Sequence, residues 1–383
     1  MFKKRFSFVS LIVICILVSA VTMVGSFFAF PKSSLARKVD EITAIINNNF
    51  DGEINEELMD EAVFTSLVKS LNDKYGAYYS VDNSKEFLGN FEKENQGLGI
   101  NYRLMDNGNM QVVILHENSP ADKAGIKLHD EIIGVDELTI KKDGHQKLLE
   151  RIEKKLDGGK VSVKLLRNGK ELTVNVTLGI FEKQTVFYEN VDGIGYIKFT
   201  HFDDSTTDGF KLALNNLKAA NVKALLFDVR NNSGGTVTAV CDVLDLLLPE
   251  CDLISAKYKN GEMKVLRTSD ANCEDLPMAV LTNGASASAS ELFAAAIREV
   301  AGGKIIGEKT FGKGQIQTIF NLSDGSVLKI TVGKFYSPKG NNWDEKGIEP
   351  DITVKLTEEQ NQNFYFLTTE TDPVIIKGIE SLK

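Results

Sequence analysis

The stretch "LTNGASASASELFAAAIREV", residues 281–300, decides how this chain folds. It continues an apolar run, "MAVLTN", into a glycine turn and small residues. Apolar residues at helical spacing then carry on to Val300. A strand, a tight turn and a helix in that order form the repeating unit of an α/β protein. Ser286, Ser288 and Ser290 all fall on the turn. Ser288 with Glu291 fits the S-x-x-E capping pattern, so helix capping alone accounts for these serines. A serine at a helix start also has unpaired backbone N–H groups beside it, which stabilise negative charge. Both readings are open on these residues alone.

Outward from that stretch, the same alternation repeats. "GIGYIKFTHF" (193–202) and "VKALLFDVR" (222–230) read as strands, with "TTDGFKLALNNLKAA" a helix between them. "LLFDVRNNSGGTV" (225–237) is a strand ending in two glycines, where the backbone turns sharply and aims its N–H groups into a cleft. "GEKTFGKG" (307–314) nearly spells a P-loop. Its eighth position is Gly314 rather than Ser or Thr, and a β-branched hairpin pattern with a D-G turn follows, not a helix. A nucleotide site is therefore rejected, and Lys313 between two glycines needs another explanation.

Upstream the texture changes. Residues 31–83 carry apolar residues at three- and four-residue intervals and read as helical. Residues 84–180 give short alternating strands, including a hairpin around Asn168-Gly169. This module resembles a PDZ domain: "GLGI" at Gly97, Leu98, Gly99 and Ile100 stands where such domains bind a terminal carboxylate, and "SPADKAGI" (119–126) supplies the helical piece. His129 stands where the family usually has glycine. A loop of backbone N–H groups beside a free strand edge captures an extended peptide.

The 383 residues suffice for two or three domains, with 43% hydrophobic and 25% charged residues. Lys plus Arg number 44 against 53 Asp plus Glu, a net charge of −9 that argues against nucleic-acid binding. "KKR" at 3–5 precedes Phe6 to Phe30, an uncharged run of about 25 residues, longer than a spanning helix needs. Residues 1–30 are read as a membrane anchor with the rest of the chain extracytoplasmic, since basic residues flank the N-terminal side. Cleavage after "VSA" (18–20) or "SLA" (34–36) would instead give a secreted form. Cys241, Cys251 and Cys273 lie beyond the anchor, and a Cys251–Cys273 bridge stays open. No Cys/His spacing suggests zinc, and no metal or cofactor is expected.

"RNNSGG", "SASASE" and "TFGKGQIQ", in this order behind a PDZ-like module and an anchor, resemble the carboxy-terminal processing (tail-specific) serine peptidases. The "LNDKYGAYYS" (71–80) and "GIEPDITV" (347–354) segments match that family as well. The resemblance implies an α/β multidomain chain. Its parts are the anchor, the helical region, the PDZ-like domain, a ClpP/crotonase-like peptidase core over 181–356, and a C-terminal segment over 357–383. It also implies Ser288 as nucleophile, Lys313 as general base, Gln317 as the residue positioning that lysine, and backbone N–H groups of Gly234 and Ala289 as oxyanion donors. Substrates would be proteins with flexible apolar C-termini, whose binding at the PDZ domain switches the enzyme on, and homo-oligomers are common in the family. Ser233 in place of a common proline, and "NGA" (283–285) in place of N-E-G, leave these groups intact.

The chemistry is consistent with that assignment. A serine hydroxyl needs an adjacent base, and lysine serves only when neutral, so its usual pKa of about 10.4 must fall by burial. Glutamine positions the amine without the charge that would raise its pKa. A His-based triad would rest on His201, beside Asp203 and Asp204, which reads better as an ordinary strand-end residue. The competing class is an inactive relative that holds tails without cutting them, and the loss of nucleophile, base or glutamine would have been its mark.

Overall fold

The computed structural model describes residues 33–84, 87, 96–156 and 158–383. Residues 1–30, read as an anchor, lie outside them. Among the described residues no helix is long and apolar enough to cross a membrane. The chain divides into two compact units, residues 1–66 and 67–383.

The first unit contains helix α1 (Ser34–Asn49), whose N-cap Ser33 accepts a hydrogen bond from the Ala36 N–H, and most of α2 (Glu56–Lys69), which runs into the second unit. The next segment departs from the helical reading of residues 31–83. Ala77–Tyr79 is a strand, β1, antiparallel to β18 (Val327–Tyr336). Three residues are too few to show a period, and the partner strand is remote in sequence, so only tertiary pairing reveals it.

The β-rich module is built on the sheet order β3-β4-β5-β7-β8, comprising Ile100–Leu104, Met110–Leu115, Glu131–Val135, Lys160–Arg167 and Lys170–Thr177. Strand β6 (Leu138–Thr139) pairs with β5, and β2 (Gln96–Gly97) with β9 (Gly179–Ile180). Helices α3 (Pro120–Lys123), α4 (Ile140–Asp143) and α5 (His145–Glu153) complete it. Met110, Val112, Leu148, Val163 and Leu165 form its core.

The α/β part holds a six-stranded sheet, β10-β11-β12-β15-β16-β19. These are Val186–Val191, Ile194–Phe199, Ala224–Asp228, Met278–Thr282, Lys304–Gly307 and Ile352–Thr353. All neighbours but β10 and β11 run parallel. Every residue of β12 and β15 is buried, as a sheet covered on both faces requires. Leu225 and Phe227 face one core with helices α6 (Thr206–Ala219), α7 (Val237–Asp245) and α8 (Ala289–Val300), around Phe199, Phe202, Phe210 and Phe293. Ala224 and Leu226 face the other, where α10 (Pro373–Leu382) packs through Val374, Ile375 and Ile379. That helix comes so near that a Cβ on Gly378 would lie 2.7 Å from Leu226 Cδ1. A short α9 (Glu358–Gln362) and a 3-10 turn (Phe364–Phe366) precede it. A second, antiparallel sheet, β1-β18-β13-β14 with β17 on β18, adds Asp252–Tyr258, Met263–Thr268 and Gln315–Asn321. Cys241, Cys251 and Cys273 are free thiols, so the bridge left open by the sequence is absent here.

Candidate active site

Two crossovers and one loop meet at the C-terminal ends of β12 and β15. The turn after β15 is pinned by its own small residues. Asn283 and Asn231 exchange hydrogen bonds between the two turns, at 2.8 and 3.0 Å. Ser286 Oγ donates to Val229 O at 2.8 Å, and Ser290 Oγ to Asn232 O at 2.9 Å. Both serines are buried and committed to holding the two turns together, while the capping pair is Ser288 with Glu291. Ser288, between them, is half-exposed. Its backbone sits at φ 58°, ψ −114°, a conformation that costs a serine about 1–3 kcal/mol and persists only where the surroundings impose it.

Glu291 is the residue whose importance the sequence reading missed. It appeared only as a capping partner, and it does accept from the Ser288 N–H through Oε2 at 2.8 Å. The same oxygen also accepts from the Lys313 N–H at 2.8 Å, while Oε1 accepts from Gly312 N at 2.7 Å and Thr310 Oγ1 at 2.6 Å. The side chain is fully buried. Burial pushes its pKa up, opposed by these four donors. One carboxylate thus binds the serine turn to the lysine loop. The clue in sequence was an acid set directly before the apolar run Leu292–Ile297.

Lys313 is half-buried between Gly312 and Gly314, and the indole N–H of Trp343 donates to its carbonyl at 2.9 Å. Burial, then repulsion from Lys329, holds its pKa below the ordinary lysine value. Its amine lies 5.0 Å from the centre of the Tyr75 ring, and no hydrogen bond joins it to Ser288 or to Gln317. Gln317 instead donates to Thr331 Oγ1 at 3.4 Å, and Thr331 is held by the Asp73 carboxylate through its N–H at 2.7 Å and its hydroxyl at 2.9 Å. The structure therefore does not bring Gln317 to the lysine amine. A bulge between Ile316 and Gln317 sets where that side chain points.

Gly234 is placed against the serine. At φ 110°, a Cβ there would lie 2.8 Å from Ala287 O, 2.9 Å from Ser288 Cβ and 3.0 Å from Ala289 N. Its N–H is taken by Asn232 Oδ1 at 2.8 Å. The Ala289 N–H, at the first position of α8, makes no hydrogen bond among the described residues. Behind the glycine turn, buried Arg230 is clamped between Asp228 (2.7 Å) and Asp372 (2.9 Å), and Tyr196 donates to Asp228 at 2.8 Å. His201 makes no hydrogen bond to Ser288, and burial lowers its pKa. Among the described residues no group of three or more His, Cys, Asp or Glu could hold a metal.

In the β-rich module, Gly97, Leu98, Gly99 and Ile100 form the turn from β2 into β3. Leu98 O accepts from Ala121 N at 2.8 Å and Gly99 O from His116 N at 3.0 Å, which seats the turn on α3. Strand β3 pairs only with β4, so its other edge is open among the described residues.

Residues 96–178 match the PDZ domain, and residues 193–354 match peptidase family S41. The chain is 32% identical over 326 residues to the carboxy-terminal processing protease CtpB of Bacillus subtilis (strain 168), covering 83% of this chain and 67% of that one. It resembles the solved photosystem II D1 C-terminal processing protease with a TM-score of 0.53 and 25% identity, over 80% of this chain and 84% of that one. With the strained serine, the lysine loop and the PDZ module in place, the chain belongs to peptidase family S41 and is a C-terminal processing serine peptidase carrying a PDZ domain.

Proposed function

We propose that this chain is a membrane-anchored, extracytoplasmic endopeptidase that cleaves with Ser288 as nucleophile and Lys313 as base. Its PDZ domain presents the C-terminal tail of a protein substrate. The observation that carries the reading is the Glu291 carboxylate, bonded to the backbone of both Ser288 and Lys313. Nucleophile and base are thereby fastened to one buried point, in a pocket that lowers the lysine pKa.

In the reaction, Ser288 Oγ attacks the scissile carbonyl carbon while its proton passes to the neutral Lys313 amine. The carbonyl electrons move onto oxygen, which the Ala289 N–H receives, joined by the Gly234 N–H once it leaves Asn232 Oδ1. Collapse expels the amine of the departing fragment, which takes the proton from Lys313. Water deprotonated by Lys313 then hydrolyses the acyl-serine. Gln317 supports the base only after leaving Thr331, so the geometry described above corresponds to a resting enzyme. Tail binding at Gly97–Ile100, along the open edge of β3, is what we assign to the switch.

The test is intact-mass analysis of a flexible protein ending in an apolar tail, incubated with the wild type and with single variants. Ser288→Ala and Lys313→Ala should abolish cleavage, and His201→Ala should retain it. Cleavage that survives Lys313→Ala and vanishes in His201→Ala would overturn the assignment.

A further inference from the structure

The lysine amine is unbonded yet not unheld. The turn Asp73–Gly76 reaches it from outside the α/β core. Asp73 accepts from the Tyr75 N–H at 3.0 Å, and Gly76 N donates to Asp73 O at 3.1 Å, which fixes the turn and presents the Tyr75 ring. Strand β1 then fastens the segment to β18. Through Thr331, the Asp73 carboxylate also occupies the amide of Gln317. One turn thus contacts Lys313 through the Tyr75 ring and Gln317 through Thr331.

We propose that Tyr75 is a positioning residue for the base: its ring face holds the Lys313 ammonium in the resting cleft and releases it for Ser288. An aromatic face attracts a cation, and more strongly where water is thinned out. The neutral amine gains little from the ring, so the contact favours the protonated form. It opposes burial and Lys329, which favour the neutral one. The other charged groups around the amine are already engaged. Glu291 is bound by four donors, and Asp344 is paired with Lys334 at 2.8 Å. Burial, then Asp344, Glu291 and Glu345, raise the pKa of the Tyr75 hydroxyl. Lys74 lies over Phe311 at 4.7 Å and, farther off at 5.5 Å, over the Tyr75 ring that Lys313 approaches to 5.0 Å, and Asp73 is spent on Thr331. The Tyr75 ring is the contact on the amine that favours its charged form, against burial and Lys329.

This inference rests on Lys313 being the base, and its test separates the two. The pH profile of kcat/KM is measured for the full chain on a flexible apolar-tailed protein, for wild type, Tyr75→Phe and Tyr75→Leu, with Lys313→Ala alongside. Removing the ring removes a stabiliser of the charged form, so the ascending limb of Tyr75→Leu should move to lower pH by about one unit. Tyr75→Phe keeps the ring and should keep the wild-type limb. A Tyr75→Leu limb that stays in place would overturn the inference, whatever its height. An equal shift in Tyr75→Phe would transfer the effect to the hydroxyl and overturn it as well. Cleavage retained by Lys313→Ala would remove the base assignment itself. A second readout is independent of turnover. In Ser288→Ala protein, the rate at which acetic anhydride labels Lys313 is followed by mass spectrometry against pH. The labelling midpoint should fall by about one unit when Tyr75→Leu is added, and an unmoved midpoint overturns the proposal.

Discussion

Glu291 shows what a single oxygen pair can organise. Its four donors come from the serine turn, from the lysine loop and from Thr310, with no solvent to replace any of them. Glu291→Gln keeps the shape but turns an NH2 group toward two of those donors, leaving N–H facing N–H. We expect a stability loss of about 3 kcal/mol, the scale for a broken buried charged network, together with a fall in kcat/KM. Thermal unfolding and cleavage rates on the same sample check this, and an unchanged melting temperature would refute it. The helix face around Glu291 is otherwise alanine and large apolar groups, so nothing else there can accept these hydrogen bonds.

At the scale of elements, the joint between the PDZ module and the peptidase core is sensitive to acid. His116 closes β4, accepts from the Gln184 N–H on Nδ1 at 3.1 Å, pairs with Asn101 Oδ1 on Nε2 at 3.0 Å and stacks on Phe181. Burial, then Lys183, lowers its pKa to about 4. The folded state therefore favours the neutral ring, while the unfolded chain takes a proton near 6.5. The stabilisation is full above 6.5 and is lost as pH falls from there toward 4. Melting temperatures between pH 7 and pH 4 should show a loss on the order of 2 kcal/mol, and His116→Gln should remove that component. Elements of this kind were only partly legible in sequence. The β15–α8 turn, the all-buried β12 and the hairpin after Lys313 were readable because apolar period and turn chemistry are local. Strand β1 and helix α10 were not, since their identity comes from partners far along the chain. Ser288 could be singled out by resemblance, and the burial of Ser286 and Ser290 supplies the physical reason. The Gln317 bond to Thr331 depends on a bulge that leaves no trace in composition.

Across the whole molecule, the segment after β19 connects the PDZ module to the core. Arg103 donates to the Gln362 carbonyl, and Phe366 stacks on His129 at 4.1 Å. Two residues earlier, Phe364 lies 5.1 Å from the Arg230 guanidinium and 5.2 Å from the Lys198 amine, behind the glycine turn of the active site. Phe366→Ala should loosen the PDZ side alone, because α10 anchors the segment separately through Val374, Ile375 and Ile379. Limited proteolysis between residues 178 and 186 should speed up several-fold, the scale of one lost aromatic contact, with core melting unchanged. Slower or equal cutting would argue against a bracing role. The Glu291 mooring has a consequence for protein engineering. A serine and a lysine grafted onto another scaffold would arrive as two independent side chains, each free to drift. The transplant that succeeds must carry the acid, the threonine and both glycine-rich turns as one graft.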